Sequence, residues 1–174
     1  MRPREFFARH PVFTHGDFVH AHTGQGRSEH TSNAVLAQGV ASRRLLRVRR
    51  GVYASVPPGV SAETFDPDPY LVATKLRDDA VVGYHSALEF HGKAYSSWSR
   101  VQYVTASRVG PFLFRGTEFD GEHAPAAVRG RPDVGGGVLV RPHAGGEVRV
   151  TSLERTLVDV LNAPSRGGGW EEVW

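Results

Sequence analysis

Cysteine is missing from this chain of 174 residues. Disulfides, thiolate-bound zinc and cysteine nucleophiles are therefore excluded. Lysine is nearly missing too: Lys75 and Lys93 stand against 19 arginines. No run approaches the roughly 20 apolar residues of a membrane-spanning helix. Met1 to His10 holds no apolar signal core. A soluble cytoplasmic protein with no membrane association is the expectation. Enzyme signatures are also missing. The Gly92-Lys93 pair is followed by Ala94, so there is no phosphate-binding loop of the G-x-x-x-x-G-K-[ST] type. H-E-x-x-H and G-x-S-x-G do not occur. Neither lysine stands in a Glu-x-Lys of the kind found in metal-dependent nucleases. Asp78-Asp79 and Glu171-Glu172 read as solvated helix ends rather than acid–base pairs.

What is present is globular in composition, with 40% hydrophobic and 22% charged residues. The formal net charge of +3 is unevenly spread. Residues 1–55 carry +6 and residues 56–174 carry −3. A basic head on an acidic body points to a polyanionic partner for the head. Pro57-Pro58-Gly59 and Asp66-Pro67-Asp68-Pro69 bracket a short polar segment through which neither helix nor strand should run. The expected organisation is a head over 1–56, a Pro-rich linker over 57–69 and a body over 70–174.

In the head, helices are expected at about Pro3 to Arg9, after the N-cap Thr14, and after the N-cap Ser28. The second carries Phe18 and Val19, and the third carries Ala34, Val35, Leu36 and Val40. Leu45 to Val48 and Val52 to Ala54 read as strands joined by Arg49-Arg50-Gly51. Helix, helix, turn, helix and β-hairpin is the order of a winged helix-turn-helix.

In the body, Asp68-Pro69 opens a helix running to Leu76, and Ala80 to Val82 is a short buried strand. Tyr84 to His91 is a helix stopped by Gly92. Val101 to Thr105, Pro111 to Phe119, Val138 to Val140 and Val148 to Val150 read as strands. Thr151-x-x-Glu154 reads as a capping box. The helix behind it carries Leu153, Leu157 and Leu161 on one stripe. Helices and strands do not alternate regularly, so the fold class is α+β: a winged helix-turn-helix followed by a mixed α+β domain.

Arg43, Arg44, Arg47, Arg49 and Arg50 fall within eight residues, at the expected wing and the corner leading into it. Alternation in Arg47-Val48-Arg49 turns the valine inward and the guanidinium groups outward. Guanidinium forks match phosphate oxygens and stay charged at physiological pH. A solvated hairpin edge would use arginine differently, to prevent edge-to-edge pairing. The helix after Ser28 is the expected recognition helix. Ser28, His30, Thr31 and Asn33 can reach base edges or phosphates. Arg27 lies near its N-terminus, where phosphate is favoured. His85 and Glu89 share a helix face, but His91 does not converge with them, so a metal site is not expected. No cofactor is expected either.

Five segments occur in an order that resembles a known family. They are Pro11-Val12-Phe13-Thr14, Leu46 to Ala54, Tyr84-His85-Ser86-Ala87-Leu88-Glu89-Phe90-His91-Gly92, Val150 to Asp159 and Gly167 to Glu172. Together they resemble the AbiEi family, the antitoxins of bacterial type IV toxin–antitoxin systems. The resemblance implies an N-terminal winged helix that binds inverted repeats in its own promoter and represses it. It further implies a C-terminal region that counters a nucleotidyltransferase-like toxin without being an enzyme. By position, Arg47, Arg49 and Arg50 would face DNA, and Val52 and Tyr53 would pack. Two departures stand out. Relatives place glycine roughly where Arg43 stands. They also continue into further helices, so a chain shortened at its C-terminus is the expectation.

The functional expectation is a DNA-binding repressor acting as two copies on two half-sites of double-stranded DNA, with the toxin as genetic partner. Two other readings remain open. One is a protein-interaction domain, with aromatics such as Trp98, Phe112, Phe114 and Trp170 forming a patch. The other is an enzyme acting on nucleotides through His85, Glu89 or Asp159.

Overall fold

The computed structural model describes residues 2–24, 28–125, 128 and 136–170. Arg27 and Glu171-Glu172 lie outside the described residues.

The first part of the chain runs α1 (Pro3–Arg9), β1 (Val12–Thr14), α2 (His15–Thr23), α3 (Glu29–Ala41), β2 (Leu45–Arg49) and β3 (Val52–Ser55). Local chemistry sets these boundaries. Thr14 Oγ1 accepts from the Asp17 amide, and the Asp17 carboxylate accepts from the Thr14 amide, closing a reciprocal cap on α2. Ser28 Oγ accepts from the Thr31 amide at the start of α3. Gly51, at φ +81°, completes the tight turn between β2 and β3.

β1 is an addition to the sequence-based expectation. It pairs with β3 in an antiparallel sheet of order β1-β3-β2. Both faces of this sheet are covered, which explains why its strands are apolar on both sides. Phe13, Leu45 and Tyr53 face α1, α2 and α3, meeting Phe6, Phe18 and Leu36. Phe6 packs edge-on against Phe13 and Phe18, with ring centroids 5.1 and 5.2 Å apart. The alternate residues Val12, Val48, Val52 and Ala54 face the other way. They join Leu71, Val72 and Val148 in a single core cluster. The basic head and the acidic body thus share apolar packing across 57–69. Arg115 fastens this segment by donating to the carbonyls of Ala62 and Glu63.

The body contains α4 (Pro69–Lys75), β4 (Val81–Val82), α5 (Tyr84–Phe90), β5 (Arg100–Thr105), β6 (Phe112–Phe114), β7 (Thr117–His123), β8 (Val138–His143), β9 (Gly146–Thr151) and α6 (Leu153–Asn162). A short 3-10 turn, Pro164–Arg166, follows. Its six-stranded sheet has the order β6-β7-β5-β4-β9-β8. β4–β9 and β5–β7 pair in parallel and the rest antiparallel. The protein mixes helices with two mixed or antiparallel sheets, consistent with α+β. No helix among the described residues is long and apolar enough to cross a membrane.

Three local expectations need correction. Pro111 to Phe119 is not one strand: Arg115 and Gly116, both at positive φ, turn the chain between β6 and β7. The α6 cap is Ser152, whose Oγ accepts from the Arg155 amide, because Thr151 is still the last residue of β9. Asp79 is no solvated helix end. Its carboxylate accepts from Thr105 Oγ1 and from the Ala106 amide, tying the end of β5 to the turn before β4.

Candidate nucleic-acid interface

The orientation of α3 is set by a polar contact inside the head. Ser32 is fully buried, bonding the Ser28 carbonyl and His22 Nδ1. His22 in turn stacks on Phe18 at 5.0 Å. Ser32, Leu36 and Gly39 therefore form the inner face of α3. His30, Thr31, Asn33, Ala34, Ala37, Gln38 and Ala41 are exposed on its other side. The centre of that outer face is built of alanine, so the helix backbone can approach a flat or grooved partner closely.

The expected base readers separate on this helix. Ser28 and Thr31 bond each other through their hydroxyls at the cap, 3.0 Å apart. Asn33 Oδ1 is bonded to His15 Nε2 of α2. His30 stands exposed one turn before Ala34. Gln38, which sequence reading passed over, is exposed two turns after Thr31 on the same side.

Arginines missed by the sequence reading join this face. A groove of about 850 Å³ runs between α1 and α3, lined by Arg2, Arg4, Thr31, Ala34, Gln38 and Arg44. A second hollow of about 560 Å³ continues from it past Arg4, Arg43 and Arg44 to Pro57 and Val60. Arg4 and Arg44 line both, so the guanidinium groups of α1 and of the turn after α3 flank one continuous depression. In the sequence Arg2 and Arg4 stand only as part of the head's positive charge, because nothing local to α1 shows that it packs beside α3.

The arginine run itself divides. Arg44 Nε donates to Ser42 Oγ, and Arg43 pairs with Glu63 at the surface. Arg47 and Arg50 are exposed on the hairpin, with Val48 turned into the core between them. A bulge between Arg47 and Arg49 breaks the register there. Arg49 is exposed, but its guanidinium lies over the Phe112 ring of β6, 5.3 Å from the centroid. It is thus held toward the body rather than toward the α1–α3 groove.

Asp17 sits at the start of α2, where Lys75 of α4 reaches its carboxylate at 2.8 Å. Burial pushes its carboxyl up, but the Lys75 ammonium and the Thr14 amide more than offset this and hold it below the usual value. Among the described residues, no three His, Asp or Glu side chains converge as metal ligands. His91 is turned from His85 and Glu89 and bonds the Thr151 carbonyl instead.

The chain matches no protein-family model and no curated protein.

Proposed function

We propose that this chain is a DNA-binding transcriptional repressor of the AbiEi antitoxin type, with residues 1–56 acting as a winged helix-turn-helix. The observation that carries the reading is that the exposed, alanine-centred face of α3 forms one wall of a groove that Arg2, Arg4 and Arg44 also line. The hairpin adds two further exposed arginines, Arg47 and Arg50. α3 enters the major groove with His30, Thr31 and Gln38 toward the bases. The arginines hold the flanking phosphates. Two copies then occupy the two halves of an inverted repeat.

A mobility-shift titration on the DNA upstream of the gene tests this. A shift in two steps is expected, with log K falling against log salt at a slope of about −4 to −5, for about five phosphate contacts. The absence of any shift at low salt overturns the reading.

A second role, as a docking module for a partner such as a nucleotidyltransferase-like toxin, is favoured by one observation. Leu153, Leu157, Val158 and Leu161 of α6 are all exposed, as is Trp170 beyond it. A contiguous apolar face of this kind marks an interaction surface. Solution mass with and without the neighbouring gene product distinguishes a docking module from a plain monomer.

A further inference from the structure

Three side chains on one edge of the body form a relay that the DNA-binding reading does not use. Ser96 lies on the loop between α5 and β5 and is exposed. Its Oγ is 3.0 Å from His85 Nε2. The other ring nitrogen of His85, Nδ1, is 3.5 Å from the carboxylate of Glu89, one turn further along α5, an ion-pair contact rather than a formed hydrogen bond. Hydroxyl, imidazole and carboxylate are thus successive neighbours, with Ser96 exposed and the imidazole fully buried.

The protonation pattern follows from the geometry. For Nε2 to accept the Ser96 hydroxyl proton, the ring must carry its own proton on Nδ1. Nδ1 is the atom that faces the Glu89 carboxylate, which favours that tautomer and stabilises the ring once it is doubly protonated. The ring is held from other directions as well. Trp98 stacks on it at 3.9 Å with the planes 6° apart, giving a cationic imidazole an aromatic face. The amide of Trp98 donates to the second oxygen of Glu89 at 3.0 Å, which fixes the carboxylate. The His85 amide donates to Gln102 Oε1 of β5, anchoring the start of α5 to the sheet.

A purely mechanical role, tying the loop to α5, is already filled by the Trp98 amide and the stacked ring. We infer that Ser96 is an activated nucleophile, with His85 as its general base and Glu89 as the positioning carboxylate, and that it takes acyl groups from unhindered carboxylic esters. Ser96 Oγ attacks the ester carbonyl carbon as its proton passes to His85 Nε2. The bond from that carbon to the leaving oxygen breaks, and the departing alcohol takes the proton from Nε2. Water then attacks the acyl-serine by the same route, releasing the carboxylic acid and returning the proton to Ser96. The residues that follow on the same loop, Ser97, Trp98 and Ser99, line a shallow cleft of about 360 Å³ with Arg100 and Glu118, while Ser96 itself stands exposed.

The test is covalent labelling of the whole chain with a fluorophosphonate, read by intact mass and peptide mapping, alongside hydrolysis of p-nitrophenyl acetate. One adduct on Ser96 is expected. Ser96→Ala abolishes it while leaving the DNA mobility shift unchanged, because the serine lies outside the basic head. Glu89→Gln keeps a carbonyl for the Trp98 amide but loses the charge. It slows labelling at least tenfold, and Glu89→Asp restores part of the rate. His85→Gln, checked for folding by circular dichroism, removes labelling. An unlabelled wild-type chain overturns the inference. So does an adduct on Ser97 or Ser99, or labelling of Ser96 at an unchanged rate in Glu89→Gln.

Discussion

Gly39 lies directly against Leu45. A Cβ at Gly39 would stand 2.6 Å from Leu45 Cδ1 and 2.9 Å from its Cγ. Leu45 is itself buried among Phe6, Phe13 and Phe18, so it has little room to yield. This contact lets the last turns of α3 close onto β2, which holds the helix and the hairpin arginines in one arrangement. Gly39→Ala is expected to cost about 1–3 kcal/mol through overpacking. Denaturant unfolding measures it, with the exposed Gln38→Ala as a near-neutral comparison. A loss under about 0.5 kcal/mol, the range of ordinary surface changes, would mean that the helix and hairpin are not locked at this point.

The turn that follows stores strain at Arg43. Its φ is +57°, in the left-handed region, and the chain reverses there through Arg43 N–H to the Val40 carbonyl and Arg44 N–H to the Gly39 carbonyl. A side chain in this conformation costs about 1–2 kcal/mol that glycine avoids. The exposed ion pair with Glu63 offsets little of that. Arg43→Gly and Arg43→Ala remove the same charge but differ in backbone freedom. The glycine variant is expected to be the more stable by about 1 kcal/mol, and both should weaken DNA binding equally. Equal stabilities would show that the left-handed turn is unstrained.

Asp17 joins α2 to α4 and makes the head–body contact sensitive to acid. Its folded-state carboxyl titrates below its ordinary value of 3.8. Stability from this group is therefore fully present above that value. It is lost as pH falls through the lower folded one. Asp17→Asn keeps an oxygen for the cap but removes the charge facing Lys75. Between about pH 5 and pH 3 its stability should fall less steeply than that of the wild type. Parallel acid limbs in the two proteins would remove Asp17 from the account.

Much of the head was legible because its signals are local. Thr14 and Ser28 announce two helices through caps that need nothing distant, and Gly51 announces the hairpin turn. β1 was not legible. It has three residues, and its sheet is buried on both faces, so Val12 and Phe13 show no alternation. In the body, the break between β6 and β7 rests on Arg115 and Gly116 together, and a single glycine within an apolar run also fits a bulge in one continuous strand. At the candidate interface, sequence supplied the arginines but not their directions. Arg49 is drawn over Phe112 of β6, and Arg2 and Arg4 join Arg44 only because α1 packs beside α3. The same holds for the relay in the body. His85 and Glu89 stand out by helical spacing, whereas Ser96 reaches them only through the loop.

Helix α6 reverses the usual meaning of its pattern. Its leucine stripe faces out, with Leu157 49% exposed, while Thr156, Asp159 and Val160 face in. The inner polar groups are satisfied. Thr156 Oγ1 donates to the Ser152 carbonyl, and Arg155 Nε donates to both oxygens of Asp159. Burial raises the Asp159 carboxyl above its ordinary range, and Arg155 only partly opposes it. The expected order of costs is therefore inverted relative to hydrophobicity. Asp159→Ala removes the carboxylate to which Arg155 Nε donates, in a mostly buried place, and should cost about 3 kcal/mol. Val160→Ala should cost about 2 kcal/mol for the methyl groups removed. Leu157→Ala should cost under about 1 kcal/mol, against the 2–5 kcal/mol typical of a buried leucine. If Leu157→Ala instead costs as much as a core substitution, the stripe is covered in solution, and the stability of the wild type should then rise with protein concentration.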